Sequence, residues 1–505
     1  MPGNPHGGMP ACIRDILGVL RDPHTRWLNA SILLYVALLP YNVFGFAVYP
    51  FDYVVKYTEV ALLLVVVFGV HAAVRGQWKL RKAYWLYAFI ALHVVAQGLS
   101  VWNAPRGIDS FAPAIAAVQY GVLLFILVNV FRSEKLLKAI MVVMGLSILI
   151  VVAHSLIIFV LEHGMFQTRT QPSIIGSHIG NYLGYLLVMY GVGVVFFFFR
   201  ERLLWWRFAA LLAVLAWMYT VIIAGIKTGQ LAVALFLFLL WIVLRGRRAK
   251  ALMVLVLFLA LFAIQFNIVP LQHAYVAVQQ RILEPWARGG EQAVSRDRVV
   301  NAGDVVPPPE RQTSTLLTES SDRNIIKTRW TVESPNSLRL RSRGMLAGWS
   351  MGKAYPLTGV GPGQQMYFFN HFSEIVREKT YDQYLPWLPH VIRKEVVNSL
   401  QWTISFSNPH NFFIMAFAET GIVGLFALLG IVGVICCKGV RATWMMRSHT
   451  MMHSLKFLFP SFLVLLMFQQ INFFFLHPWF WTTLALVYVS ASDIEVAVTQ
   501  DLVTA

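Results

Sequence analysis

Charge is scarce in this chain. Only 13% of its 505 residues are Asp, Glu, Lys or Arg, while 57% are hydrophobic, a balance that no water-soluble globular domain needs. Cysteine is scarcer still. Cys12, Cys436 and Cys437 are the three present, so the longest polar segment has no intramolecular disulfide and a cysteine-based zinc site is excluded. Acids are outnumbered, with 24 Asp and Glu against 41 Lys and Arg and a formal net charge of +17. A nucleic-acid surface would gather such cations on one soluble face. Here they sit between hydrophobic runs, so no nucleic-acid partner is expected.

What is abundant is apolar sequence in long runs. A helix needs about 20 mostly apolar residues to cross a bilayer, and twelve runs approach that length: 30–49, 57–74, 83–101, 112–131, 139–160, 174–199, 208–223, 230–244, 251–269, 412–437, 455–470 and 473–489. The predicted fold class is an all-α polytopic membrane protein of about twelve transmembrane helices, with membrane lipids around it. Arg14, Arg21 and Arg26 precede the first run, which is too long for a signal-peptide core and reads as a retained first helix.

The cations also orient the chain. The connections around residues 75–82, 132–138, 200–207, 245–250 and 438–447 are rich in Lys and Arg, whereas the alternate ones hold only Lys56, Arg106, Arg169 and Lys227. By the positive-inside rule the first set is cytoplasmic, as are both termini. The resulting map has a cytoplasmic segment 1–29 and helices one to nine over 30–269. One large periplasmic loop over 270–409 separates helices nine and ten, helices ten to twelve occupy 410–489, and 490–505 form a cytoplasmic tail. Inside the loop, 295–324 is rich in Pro, Ser, Thr and charge, including Pro307-Pro308-Pro309, and is predicted to be a flexible insertion.

The sharpest local pattern is Ser407-Asn408-Pro409-His410-Asn411, followed by an apolar run carrying Glu419, Gly421 and Gly424. Pro409 ends the loop, Asn411 suits the cap of a helix starting at Phe412, and His410 is held at the water–lipid boundary. A histidine there titrates near neutral pH within reach of a substrate at the membrane surface. Taken alone, His410 equally suits an interfacial anchor. Glu419 lies two turns into its helix, where a carboxylate needs a partner, and Gly421 and Gly424 suit close helix packing.

Three features upstream join this one. Tyr355-Pro356-Leu357-Thr358-Gly359-Val360-Gly361-Pro362-Gly363 is a glycine-rich turn, Arg341 stands 15 residues before Pro356 between Arg339 and Arg343, and Ala224-Gly225-Ile226-Lys227-Thr228-Gly229 forms a hairpin. Together with Pro-His-Asn, the following glutamate and the glycines, they resemble the O-antigen ligase and polymerase family. The glycine turn is similar to that family's Pro-Leu-x-Gly-x-Gly-x-Gly element, and the hairpin to its Ser-x-Ser-Arg-Thr-Gly, with Lys227 in place of the arginine. Arg169, followed by His178-Ile179-Gly180-Asn181, resembles a further element more loosely.

The resemblance implies a GT-C-like membrane glycosyltransferase that moves a glycan from undecaprenyl diphosphate to an acceptor hydroxyl, inverting, without metal or cofactor. The acceptor is lipid A-core for a ligase, or another lipid-linked glycan for a polymerase. A departing diphosphate needs cations to stabilise its charge, and arginine binds phosphate oxygens two at a time where lysine offers a point charge. His410, Arg341 and Lys227 are the implied catalytic set, with Arg339, Arg343, Arg169, Asn411, Glu419 and Gly361 in support. Arg341 equally reads as a loop cation paired with a local acid, and Lys227 as a snorkelling residue. No metal site is expected, because His273, His371 and His390 are scattered without acids at ligand spacing. The alternatives, in order, are a polymerase, a protein O-oligosaccharyltransferase and a transporter. Transport is disfavoured because the polar chemistry concentrates at one face rather than in mid-membrane.

Overall fold

The protein is described here from a computed structural model, which covers residues 11–41, 45–48, 53–76, 80–102, 104, 107–131, 133–163, 180–201, 203–223, 227–244, 247–278, 335–365, 368, 411–446, 453–468 and 478–504. Among these, the chain forms α1 (Ala11–Leu20), α2 (Arg26–Leu38), α3 (Tyr57–Val74), α4 (Tyr84–Trp102), α5 (Gly107–Val130), α6 (Glu134–His163) and α7 (Gly180–Arg200). There follow α8 (Leu204–Ile223), α9 (Lys227–Val243), α10 (Arg248–Val278), α11 (Pro335–Ala354), α12 (Phe412–Met445), α13 (Leu455–Phe468) and α14 (Pro478–Thr504).

Each of the twelve apolar runs carries a helix. The expectation of an all-helical chain needs one correction. The first run does not continue as a helix to residue 49: α2 ends at Leu38, a 3-10 turn occupies Leu39–Tyr41, and an antiparallel hairpin pairs β1 (Gly45–Val48) with β2 (Tyr53–Lys56). Pro40 accounts for the break, since it lacks an N–H and its ring clashes with the preceding turn of a helix. The 13 residues of α2 span only about 20 Å. The predicted cytoplasmic tail also differs in form, because α14 runs unbroken through it to Thr504.

Among the described residues, six helical stretches are long and apolar enough to cross a membrane: Tyr57–Val74, Tyr84–Trp102, Pro113–Val130, Glu134–Ile157, Leu204–Ile223 and Phe412–Met445. Leu186–Arg200, Gly229–Val243 and Leu455–Phe468 are apolar but shorter. The chain is therefore a helical, multi-pass membrane protein. Its core is built where α6 meets α7. Gly145 and Gly193 face each other there with backbone against backbone, the approach that small residues permit in lipid. Trp217 of α8 lies over Gly191 and donates its indole N–H to the Leu187 carbonyl at 2.8 Å.

The basic connections gather acids from both terminal helices. Asp15 of α1 binds Arg200 at 2.6 Å, Asp493 of α14 binds Arg81 at 2.9 Å, and Glu495 binds Lys438 at 2.8 Å. Beside them Glu134 accepts from Ser454 Oγ at 2.8 Å and faces His453 Nε2 at 3.0 Å. The same imidazole takes the Leu455 N–H on Nδ1, so its proton sits on Nε2 and points at the carboxylate.

Candidate functional site

At the other end of the bundle, α11 runs directly into the glycine turn, and the turn docks on α12. The junction begins with packing. Trp349 of α11 and Phe417 of α12 hold their ring centroids 5.1 Å apart, and Gly352 lies against the Phe417 ring with no room for a side chain. Beyond Ala354 the chain leaves the helix, and Gly359, Gly361 and Gly363 take φ values of 69°, 104° and 71°. A residue with a Cβ rarely enters that region.

The turn fits because α12 is broken opposite it. Gly421 has φ 63° and ψ −161°, which splits the helix after Thr420. A break frees carbonyls and an N–H that lipid cannot satisfy, and the turn supplies the partners. Val360 N–H donates to the Ala418 carbonyl at 2.9 Å and Gly361 N–H to the Glu419 carbonyl at 3.1 Å, while Ile422 N–H donates back to the Pro356 carbonyl at 2.7 Å. The approach is so close that a Cβ on Gly359 would strike the backbone of Glu419, and one on Gly421 would strike the carbonyl of Leu357. Gly421 therefore serves the docking of a turn rather than the close packing of two helices.

Glu419 closes the joint with its side chain. It is buried, and its Oε1 accepts the N–H of Gly363 at 2.9 Å. Ser100, near the end of α4, donates its hydroxyl to the Glu419 carbonyl. At the start of α12, Asn411 Oδ1 accepts from Phe413 N–H at 3.1 Å and Ile414 N–H at 3.0 Å, which is the cap that its position before Phe412 predicts. The segment from Phe412 to Thr420 is thus a short rod, capped at one end and bolted to α11 at the other.

This is the region in which the sequence motifs cluster, and the comparison with known families falls on it. Residues 212–429 match the family model described as O-Antigen ligase. This stretch is similar to the O-antigen ligase family. It extends from within α8 to just past the break in α12, under half of the chain, and includes Lys227, the three arginines, the glycine turn and Glu419. No curated protein matches the chain. That similarity, in a multi-pass helical protein, supports glycan transfer of the ligase or polymerase type, with a lipid-linked glycan and an acceptor as partners.

The structure brings some of the expected residues together. Glu419 and Gly361 belong to the joint just described, and Asn411 caps the far end of the rod that the joint holds. Arg339, Arg341 and Arg343 lie in the first half of α11, in a helix rather than an open loop. On a helix, positions 339 and 343 share a face and position 341 falls on another. Lys227 is the first residue of α9, whose main packing partners are α7, α10 and α13. His410, Arg169 and the insertion 295–324 lie outside the described residues. Among the described residues no group of three or more His, Cys, Asp or Glu is placed to hold a metal ion.

Sequence reasoning missed three contributors to the joint. Ser100 gave no signal, because a lone serine in an apolar helix usually bonds within its own turn. Phe417 and Gly352 read as ordinary apolar and flexible positions; only the fold sets one against the other.

Proposed function

We propose that the protein is an O-antigen ligase that moves a glycan from undecaprenyl diphosphate to a hydroxyl of lipid A-core, at the periplasmic face of the inner membrane, across which the chain passes twelve times with both termini in the cytoplasm. The acceptor oxygen attacks C1 of the sugar as the C1–O bond to the diphosphate breaks. A single displacement inverts C1, and undecaprenyl diphosphate departs with the bonding electrons. His410 takes the proton of the acceptor hydroxyl, a contribution of about 10²–10⁴-fold for a positioned base. Arg341 and Lys227 stabilise the charge that gathers on the departing diphosphate, with Arg339, Arg343 and Arg169 in support and no metal required.

The observation that carries this reading is the joint between α11 and the short rod of α12. The arginines stand at the free end of α11, and His410 directly precedes the capped start of the rod. The glycine turn and Glu419 fasten these two elements together at their other ends. In this reading the base and the cations act from two elements that the joint fastens together, which supports the precise spacing that a displacement reaction needs.

The test is deletion of the gene in its host, with surface polysaccharide read on a gel beside the pool of undecaprenyl-linked glycan. Long glycan lost from lipid A-core and accumulating on the carrier identifies a ligase. Core carrying one repeat, or short units on the carrier with loss of a free exopolysaccharide, identifies a polymerase. Unchanged glycans leave a protein-directed transferase or a transporter. His410→Ala in the membrane-inserted protein is expected to reproduce the deletion; an unchanged glycan pattern would remove His410 from the mechanism.

A further inference from the structure

At the basic end of the bundle, cations converge where α7 stops. Arg207 of α8 donates its Nε–H to the Glu201 carbonyl at 2.9 Å, and Arg247, just before α10, donates from Nη1 to the Phe199 carbonyl at 2.7 Å. Two guanidinium groups thus sit on carbonyls two residues apart. Lys250 of α10 joins them. The charges acting on it are Arg207 and Arg247, and partial burial together with these two guanidiniums holds its ammonium below its ordinary pKa. Lys456, buried at the start of α13, lies within electrostatic reach of Arg247.

Helix capping accounts for part of this. The carbonyl end of a helix carries about half a negative charge, and Arg207 and Arg247 cap α7 there. Lys250 and Lys456 remain. Among the described residues the acids of this corner are engaged: Asp15 holds Arg200 at 2.6 Å, and the buried Glu201 turns Oε1 to the Leu203 N–H at 3.2 Å. One carboxylate and one helix end do not balance Arg207, Arg247, Lys250 and Lys456, and like charges repel strongly where water is partly excluded. An anion restores the balance, and each guanidinium, with five N–H donors, has bonds to spare for it.

The neighbouring surface says what carries the anion. Trp205, Phe208 and Leu212 are exposed on α8, and Leu252, Val256 and Leu259 on α10, each set at the spacing of one helix face. Each face begins two residues from a cation of the cluster, Arg207 or Lys250, and runs about 10 Å, inside the roughly 15 Å of one leaflet. A free phosphate meets only the cations. A phosphate that bears hydrocarbon chains meets the cations and these faces together.

We propose that this corner binds an anionic phospholipid, with its phosphate among Lys250, Arg207 and Arg247 and its acyl chains against the exposed faces of α8 and α10. The site lies at the opposite end of the bundle from the glycine turn and is independent of the glycan donor and acceptor.

The test is the melting temperature of the full-length protein in detergent as phosphatidylglycerol or phosphatidylcholine is titrated in. Phosphatidylglycerol is expected to give a saturable rise of roughly 5 °C, and phosphatidylcholine none. Lys250→Gln should weaken the apparent affinity about fivefold, since a basic residue at an anionic surface is worth about 1 kcal/mol, and Lys250→Arg should retain it. Lys250→Glu decides most. Its carboxylate would take the place of the lipid phosphate beside Arg207 and Arg247, so the melting temperature should rise without lipid and no longer respond to phosphatidylglycerol. Arg441→Gln, which removes an exposed cation at the same end, should leave the response unchanged. Equal responses to the two lipids, or a Lys250→Glu protein that is less stable and still responds, would overturn the proposal. So would a rise that inorganic phosphate reproduces, which marks a site for a soluble anion, or one that follows protein concentration instead of lipid, which marks an interface between copies.

Discussion

The two ends of this bundle are held by different chemistry. At the basic end, long side chains do the tying, as in Arg81 with Asp493, Arg200 with Asp15 and Lys438 with Glu495. At the end with the glycine turn, backbone ties to backbone: three main-chain hydrogen bonds cross between residues 356–361 and 418–422, with glycines where any side chain would intrude. Side-chain ties are adjustable, because a long side chain finds a new partner or water when one is lost. Backbone ties admit no such exchange. Under the proposed function the difference suits the two tasks, since one end needs only to hold helices together and the other has to keep reacting groups at a set spacing.

Mutations that attack the backbone joint break this contrast most sharply. Gly421→Val forces a β-branched residue into φ 63° and into the Leu357 carbonyl. With ψ at −161° this backbone region is essentially confined to glycine and alone costs about 1–3 kcal/mol, and the collision adds to it. A lower melting temperature in detergent and loss of glycan transfer are expected; a variant of wild-type stability would show that the break is not required. Glu419→Leu comes next. It leaves the buried Gly363 N–H unpaired, at about 1–3 kcal/mol, and transfer should fall with it. Glu419→Gln keeps an accepting oxygen and should restore most of both, so equal loss in the two variants would mean that charge, not the hydrogen bond, is what matters.

Smaller effects sharpen the comparison from the other side. Asn411→Ala removes the cap of the short rod, at about 1 kcal/mol. Because the rod is bolted at its other end, the loss should appear in the amide exchange of residues 413 and 414 and not beyond residue 421. Lys438→Met should matter least. Its partner Glu495 is partly exposed and also has Arg441 at 3.6 Å, and such pairs contribute at most about 1 kcal/mol. A melting temperature that moves as far as in Glu419→Leu would erase the distinction between the two ends.

The helices of this fold were legible because hydrophobic length is a crude and strong signal: every apolar run carries one. Where other forces ruled, the reading fell short. The α11 helix carries Arg339, Arg341, Arg343 and Lys353 among its 20 residues and has no apolar run to announce it. The hairpin after α2 follows from Pro40, whose effect was hidden inside a run long enough to span. At the site, the cap at Asn411 and the turn glycines could be read locally, since capping and positive φ are properties of a few adjacent residues. The break at Gly421 could not. A glycine in an apolar run is compatible with an intact helix, and only a partner about 60 residues upstream makes opening it worthwhile. For the same reason the sequence shows only that Glu419 needs a partner, and the one observed, the backbone N–H of Gly363, lies 56 residues upstream.

That dependence has a consequence for how the protein is made. In hydrocarbon a segment with open hydrogen-bonding groups is penalised by several kcal/mol per group, so α12 alone has every reason to close up at Gly421 and enter the bilayer straight. The glycine turn leaves the ribosome first and is waiting when α12 arrives. The bend is then a product of assembly order, written jointly by two segments, and a synthetic peptide of residues 410–446 in micelles would carry an unbroken helix.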